Sequence, residues 1–317
     1  MEVRFELAAL TRDLVPLRRA QACLAAALAE WREARGDAWE RALAAFAQGA
    51  DPRDLPPLAK ILAPDFDGAP IAALVTSIAA ILAENPLGLV PLRHHCDDGM
   101  ASLVLARAGG ASLSLQALDG SALAPPPPTI SFAPTETWDR VLAGHADVET
   151  IAAMPVGPDL VALTAQRSRL APGAVCCRDG RTEAQTYLAI DPVLVVLRLQ
   201  RRHPGALPTL EYRRADGVLV HRAAGNPRDS RFELVAALLG AMERGDAAPT
   251  LAAIAREGGT ASMRWQALRQ ALALDSARGF AALTDIAADP DDALAAPAGA
   301  LLAQLRVLHP ELAACPA

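Results

Sequence analysis

The sequence predicts an α+β protein, a central antiparallel β-barrel or sandwich flanked by an N-terminal and a C-terminal helical domain. Three observations predict it. Between Leu87 and Gly225, β-branched and alternating segments are broken by Gly, Pro and Asp-Gly turns, the pattern of short strands. On either side, apolar residues recur at helical spacing. The composition switches at Asn85-Pro86 and again before Ser230, which divides the 317 residues into a helical unit (1–86), a β-rich domain (87–227) and a helical domain (228–317). With 52% apolar residues the chain can bury one large core or several smaller ones.

In the first segment, Leu17, Ala20, Leu24, Ala27, Leu28 and Trp31 mark one face of a helix that opens near Pro16 and ends by Gly36. Asp37 is placed to cap a second helix, Ala38 to Gln48, which Gly49 ends. A short helical segment follows between Leu55 and Leu62. Pro70 opens a fourth, Ile71 to Glu84, which Asn85-Pro86 stops.

The strands begin at Leu87 to His95, Met100 to Arg107 and Ala111 to Leu118, separated by Asp97-Asp98-Gly99 and Gly109-Gly110. Pro125 to Pro128 is a polyproline connection, extended and exposed. Thr129 to Phe132 resumes the strands, and Glu136 to Leu142 reads as one or two helical turns. Further strands are expected at Asp159 to Ala165, Ala174 to Cys177, Thr182 to Ile190 and Val193 to Gln200. Ala215-Asp216-Gly217 joins a hairpin. At Ser230-Arg-Phe-Glu233 a capping box starts a helix carrying Phe232, Val235, Leu238, Leu239 and Met242, and shorter helices follow in an antiparallel array.

The net charge of −6 argues against a general nucleic-acid or membrane-surface binder, since neutralising phosphates needs a clustered excess of cations. Lys60 is the only lysine, so nearly every cation is an arginine. The longest apolar run, Ile71 to Ala83, is too short to cross a bilayer. Five cysteines form no CxxC pair, and the first residues carry no apolar export signal. The expected location is the cytoplasm.

One stretch resembles a known family. In Leu170-Ala-Pro-Gly173-Ala-Val-Cys-Cys-Arg-Asp179-Gly-Arg181-Thr-Glu-Ala-Gln185 the glycine spacing is similar to the first cupin motif, in which a glycine is followed after five residues by His-x-His and then by Glu. The resemblance implies a double-stranded β-helix barrel. The two histidine positions fall on Asp179 and Arg181 and the glutamate position on Gln185, so every metal-ligand position departs from the family. An arginine cannot deprotonate to become a ligand and repels a cation. Asp179-Gly180 then reads as a hairpin turn.

Candidate residues fall into two groups. His94, His95 and Asp97, with His145 or His221 from elsewhere, form a candidate site for one Fe, Mn or Zn ion, although neighbours on a strand point to opposite faces. Trp138, Arg198 and Tyr212 are candidates for a ligand pocket. Arg198 lies within an apolar strand, and a cation there needs an anion, either a protein carboxylate or a ligand. Cys176-Cys177 reads as an inert pair. Nucleotide-binding, hydrolase and zincin motifs are missing, and no cofactor is expected on the leading reading. That reading is a non-catalytic ligand-sensing or protein-interaction protein on a degenerate cupin-like domain, with a small molecule or a protein as partner; the oligomeric state is left open by the sequence, a homodimer being one alternative. The alternative is a mononuclear-metal cupin-like oxygenase or isomerase. A transcription regulator is disfavoured by the acidic C-terminal part.

Overall fold

A computed structural model describes residues 14–34, 37–86, 88–205, 207–225, 227–257 and 259–309. Gly36, Leu87, Gly258, Cys315 and the first thirteen residues, on which the sequence reading also drew, lie outside these. The chain forms two compact units, Met1–His203 with Arg214–Gly217, and Pro204–Arg213 with Val218–Ala317.

Two long strands organise the first unit, β5 (Thr135–Gly157) and β8 (Glu183–Arg202). The others are β1 (His94–Cys96), β2 (Met100–Ala108), β3 (Ala111–Asp119), β4 (Thr129–Phe132), β6 (Leu160–Leu170) and β7 (Val175–Asp179). The sheet runs in the order β1-β2-β3-β8-β5-β6, with β7 also on β5. Strand β5 pairs with β8 along nearly its whole length, from Thr135↔Arg202 to Ala152↔Glu183. Its other side is taken by β7 at one end and β6 at the other.

The sheet closes because β5 coils. The amide of Gly180 donates to Thr135 O (2.7 Å), and the amide of Ala153 donates to Thr182 O (2.8 Å). The two ends of β5 therefore meet at one turn, although a straight strand would hold them ~60 Å apart. Gly144 permits the bend. Its φ is +79°, and a Cβ there would stand 1.9 Å from Val193 O. Register shifts flank it between Val141 and Ala143, and between Ala143 and His145. The seven strands β1, β2, β3, β5, β6, β7 and β8 thus form one closed antiparallel barrel.

Glu136 to Leu142, expected as helical turns, is the start of β5. The segment is too short for its own periodicity to decide. Ladders on both sides do, pairing Asp139 with Arg198 and with Cys176.

Among the described residues, four helices cover the outer face of this barrel. They are α1 (Val15–Glu33), α2 (Ala38–Ala47), α3 (Pro56–Leu62) and α4 (Ala69–Glu84). Leu24, Leu28, Leu43, Phe46, Leu58, Ile71 and Leu74 share one core with Leu105, Leu113, Trp138, Leu197 and Leu199. Each such side chain contributes about 1.5–3 kcal/mol on burial. Asp37 makes no side-chain cap at α2. Two arginines of the sheet fix the layer instead. Arg201 donates to Phe46 O and Ala50 O, both at 2.8 Å, and lies over the Phe46 ring. Arg140, 2% exposed, donates to Pro64 O (3.0 Å) and Phe66 O (3.1 Å) beyond the C-terminus of α3.

Among the described residues, the second unit holds the hairpin β9 (Thr209–Arg213) and β10 (Leu219–Ala223) and five helices. These are α5 (Pro227–Ala241), α6 (Ala248–Arg256), α7 (Ala261–Leu274), α8 (Ser276–Ala288) and α9 (Ala295–Leu308). Leu251, Ala255, Leu268, Ala271, Leu283, Ile286 and Leu302 make its core. Helix α5 begins three residues before the expected capping box, because Pro227 fits the first helical position. The Glu233 carboxylate accepts from Ser262 Oγ on α7 instead of capping its own helix.

Candidate ligand site in the barrel interior

The strand register defines what lines the inside. Across the sheet, Ser114 lies opposite Arg198, Arg198 opposite Asp139, and Asp139 opposite Cys176. The next row holds Ser112, Gln200, Thr137 and Arg178. Directly opposed residues share a face, so these two rows point away from Trp138 and Leu197 and into the barrel. Beyond these rows the lining turns apolar: Val141, Val196, Leu118, Leu194, Val148 and Leu170 cluster at one end. The interior is therefore a polar chamber with an apolar floor.

Asp139 is the centre of that chamber. Its side chain is buried, and two guanidiniums hold it. Arg198 donates through Nε to Oδ1 (2.7 Å) and through Nη2 to Oδ2 (2.8 Å), a two-point contact. Arg178 donates through Nη2 to Oδ2 (2.6 Å) and through Nη1 to the amide oxygen of Gln185. Burial alone would push the Asp139 carboxyl up, but Arg198 and then Arg178 overcome it and hold it below the usual carboxylate range. Burial likewise tends to lower the Arg198 guanidinium, and the bonds it donates to Asp139 more than restore it. Tyr187, mostly buried beside them, has its phenol pushed up by burial and by the Asp139 charge. Two cations face one carboxylate, so the cluster keeps one positive charge in excess, set among hydroxyls and amides. Such a site attracts an anion and repels a metal ion.

Of the three ligand-pocket candidates, Arg198 lies in this chamber, and its partner is a protein carboxylate. Trp138 sits on the opposite face, in the core shared with the helices, donating from Nε1 to Glu136 Oε1 (2.8 Å) under the Arg53 guanidinium. Tyr212 is buried on β9 in the second unit. Asp139, Arg178, Tyr187 and Gln185 were not picked out as ligand residues from the sequence. The signal for Asp139 was present in the demand that Arg198 made for an anion. It was hidden because the segment read as helix.

The metal candidates are dispersed. His94 and His95 are exposed on the edge strand β1, where Nδ1 of His94 lies 2.9 Å from Leu92 O and Nε2 of His95 lies 3.3 Å from Asp97 Oδ2. Asp97 accepts from the amides of Gly99 and Met100, as a turn residue does. His145 and His221 are exposed on β5 and β10. Among the described residues, no group of three His, Cys, Asp or Glu side chains comes together to hold a metal. The motif positions do not fit one either. Asp179, its pKa held at about 2 by Arg181, is paired with that arginine and lies 3.0 Å from Nε2 of His203, while Gln185 serves Arg178.

Burial pushes the thiol of Cys176 up, and burial with the Glu136 charge pushes that of Cys177 to about 11, so neither is a ready thiolate at neutral pH. A shallow depression of about 460 Å³, lined by Asp147, Arg167, Ser168, Leu188 and Ala189, is open to solvent on the barrel wall.

No protein-family model and no curated protein matches this chain. Solved structures resemble part of this chain. KdgF from Halomonas sp. is 17% identical over 35% of this chain and 89% of its own, with a TM-score of 0.26. The CENP-C cupin domain of Drosophila melanogaster is 20% identical over 36% of this chain and 77% of its own, also at 0.26. Vicilin from Solanum melongena is 13% identical over 39% of this chain and 32% of its own, at 0.27. The fold is α+β, with an antiparallel barrel and helical parts before and after it in the chain. Among the described residues no helix is long and apolar enough to cross a membrane.

Proposed function

We propose that this protein is a non-catalytic binder of a small organic carboxylate, which it holds in the barrel interior. The observation that carries the reading is the Asp139–Arg178–Arg198 cluster, with two guanidiniums to one carboxylate inside a closed sheet. A ligand carboxylate would complete the charge balance at Arg178, and Ser114, Thr137, Gln200 and Gln185 would orient its remaining polar groups. Catalysis has little support, because the thiols are held protonated and the motif positions are engaged with one another. The protein acts in the cytoplasm, where its cysteines stay reduced.

The test is thermal unfolding with a panel of small mono- and dicarboxylates and their neutral amides. A true ligand at a hundred times its dissociation constant stabilises by about 2.7 kcal/mol, a rise of about 5 °C or more in Tm. Arg178→Gln should abolish that shift while leaving the basal Tm within a few degrees, since Arg198 still pairs Asp139. A panel that shifts nothing, a shift that survives Arg178→Gln, or turnover by metal-free protein would overturn the proposal.

A further inference from the structure

Helix α5 is amphipathic in the wrong sense. It turns Asp229, Glu233, Ala236 and Gly240 toward α7: Asp229 accepts from the Thr260 amide (3.3 Å), Glu233 from Ser262, and Gly240 lies against Gln270. Its large apolar side chains face outward, with Leu234 71% exposed, Leu238 and Met242 55%, Val235 48% and Phe232 37%. A helix of a monomer ordinarily does the reverse, and a contiguous apolar face of this kind marks an interaction surface.

We propose that this face docks a second copy of the chain, helix α5 against helix α5 in antiparallel order about a two-fold axis. The spacing and the charges select this occupant. Arg231, Val235, Leu238 and Met242 follow a four-three-four spacing, the stripe that interlocks with a like stripe. In a parallel pair the two Arg231 side chains would face each other. In an antiparallel pair Val235 of one copy meets Leu238 of the other, and Arg231 comes beside Met242 and Glu243. The pairing is thus self-complementary, as a two-fold interface requires, and it sets the helix dipoles in opposition. Glu243 stands at the C-terminus of the stripe with φ of 53°, exposed.

One helix face of ~22 Å is at the small end of protein interfaces, so the dimer dissociates in the micromolar range. Sedimentation velocity of the full chain as a function of concentration tests it. The expected result is a reversible monomer–dimer equilibrium that Leu238→Glu weakens at least tenfold, with Tm near that of the parent because Leu238 is exposed. Arg231→Glu and Glu243→Arg should each weaken the dimer, and the double exchange should recover most of the loss. A monomer at every concentration, a dimer indifferent to Leu238→Glu, or a double exchange no tighter than the single variants would overturn the proposal and assign the face to a different protein.

Discussion

Asp139 couples folding to pH through the two guanidiniums that hold it. Its folded pKa is depressed below the unfolded value of about 3.9. The stabilisation is therefore complete above roughly pH 5 and is lost as pH falls through the carboxylate range. Asp139→Asn should cost about 3 kcal/mol at pH 7, because it strands two partly buried cations, and the variant should lose less stability than the parent between pH 6 and pH 3.5. Urea unfolding at the two pH values checks both statements; equal pH slopes would reject the coupling. Arg140 poses the opposite problem, a buried cation that accounts for main-chain carbonyls beyond α3, with its Nε unpartnered. Arg140→Met keeps the buried stem and removes the donors. It should destabilise by about 3 kcal/mol and expose residues 62–66 to hydrogen exchange before the rest. Arg198 shows what the sequence could convey at this scale: a cation in an apolar strand states that an anion is nearby and leaves its identity open.

Two backbone positions carry the elements. Gly144→Ala would drive a Cβ into Val193 O and break the bend of β5, for a loss of about 4 kcal/mol or more, visible as failure to fold or a collapse in Tm. A Tm within 2 °C of the parent would show that the bend does not depend on glycine. Glu243 sits after α5 where a left-handed residue closes the helix, with the Arg244 amide donating to Leu239 O and the Glu243 amide to Gly240 O. Glycine is the usual occupant of such a position. Glu243→Gly should therefore raise stability by about 1 kcal/mol while weakening self-association, a separation that a glutamate kept only for the helix would not show. Helices α1 to α4 and the Asp97, Gly109 and Asp179 turns were legible because caps, prolines and turn residues act locally. The coil of β5 was not. It depends on two ladders to residues far along the chain, and the seven residues of Glu136 to Leu142 suit either structure until those partners are present.

At the scale of the whole molecule, the α+β class followed from two switches of periodicity. The identity of the interior did not, because which strand residues point inward depends on register. Near-stoichiometric Fe, Mn, Zn or Cu in protein purified without chelator or tag would contradict a chamber lined by guanidiniums. The expected elemental analysis is metal well below one ion per chain.

The shared core of the first unit sets a constraint on synthesis. Leu24, Leu43 and Leu58 share their core with Leu197 and Leu199, which the ribosome adds long after them. At 5–20 residues per second the helices wait on the order of 10 s with their apolar stripes in water. Closure of the barrel, with its distant strand pairs, is itself slow. A version truncated at Asp119 should therefore aggregate rather than accumulate as a helical fragment.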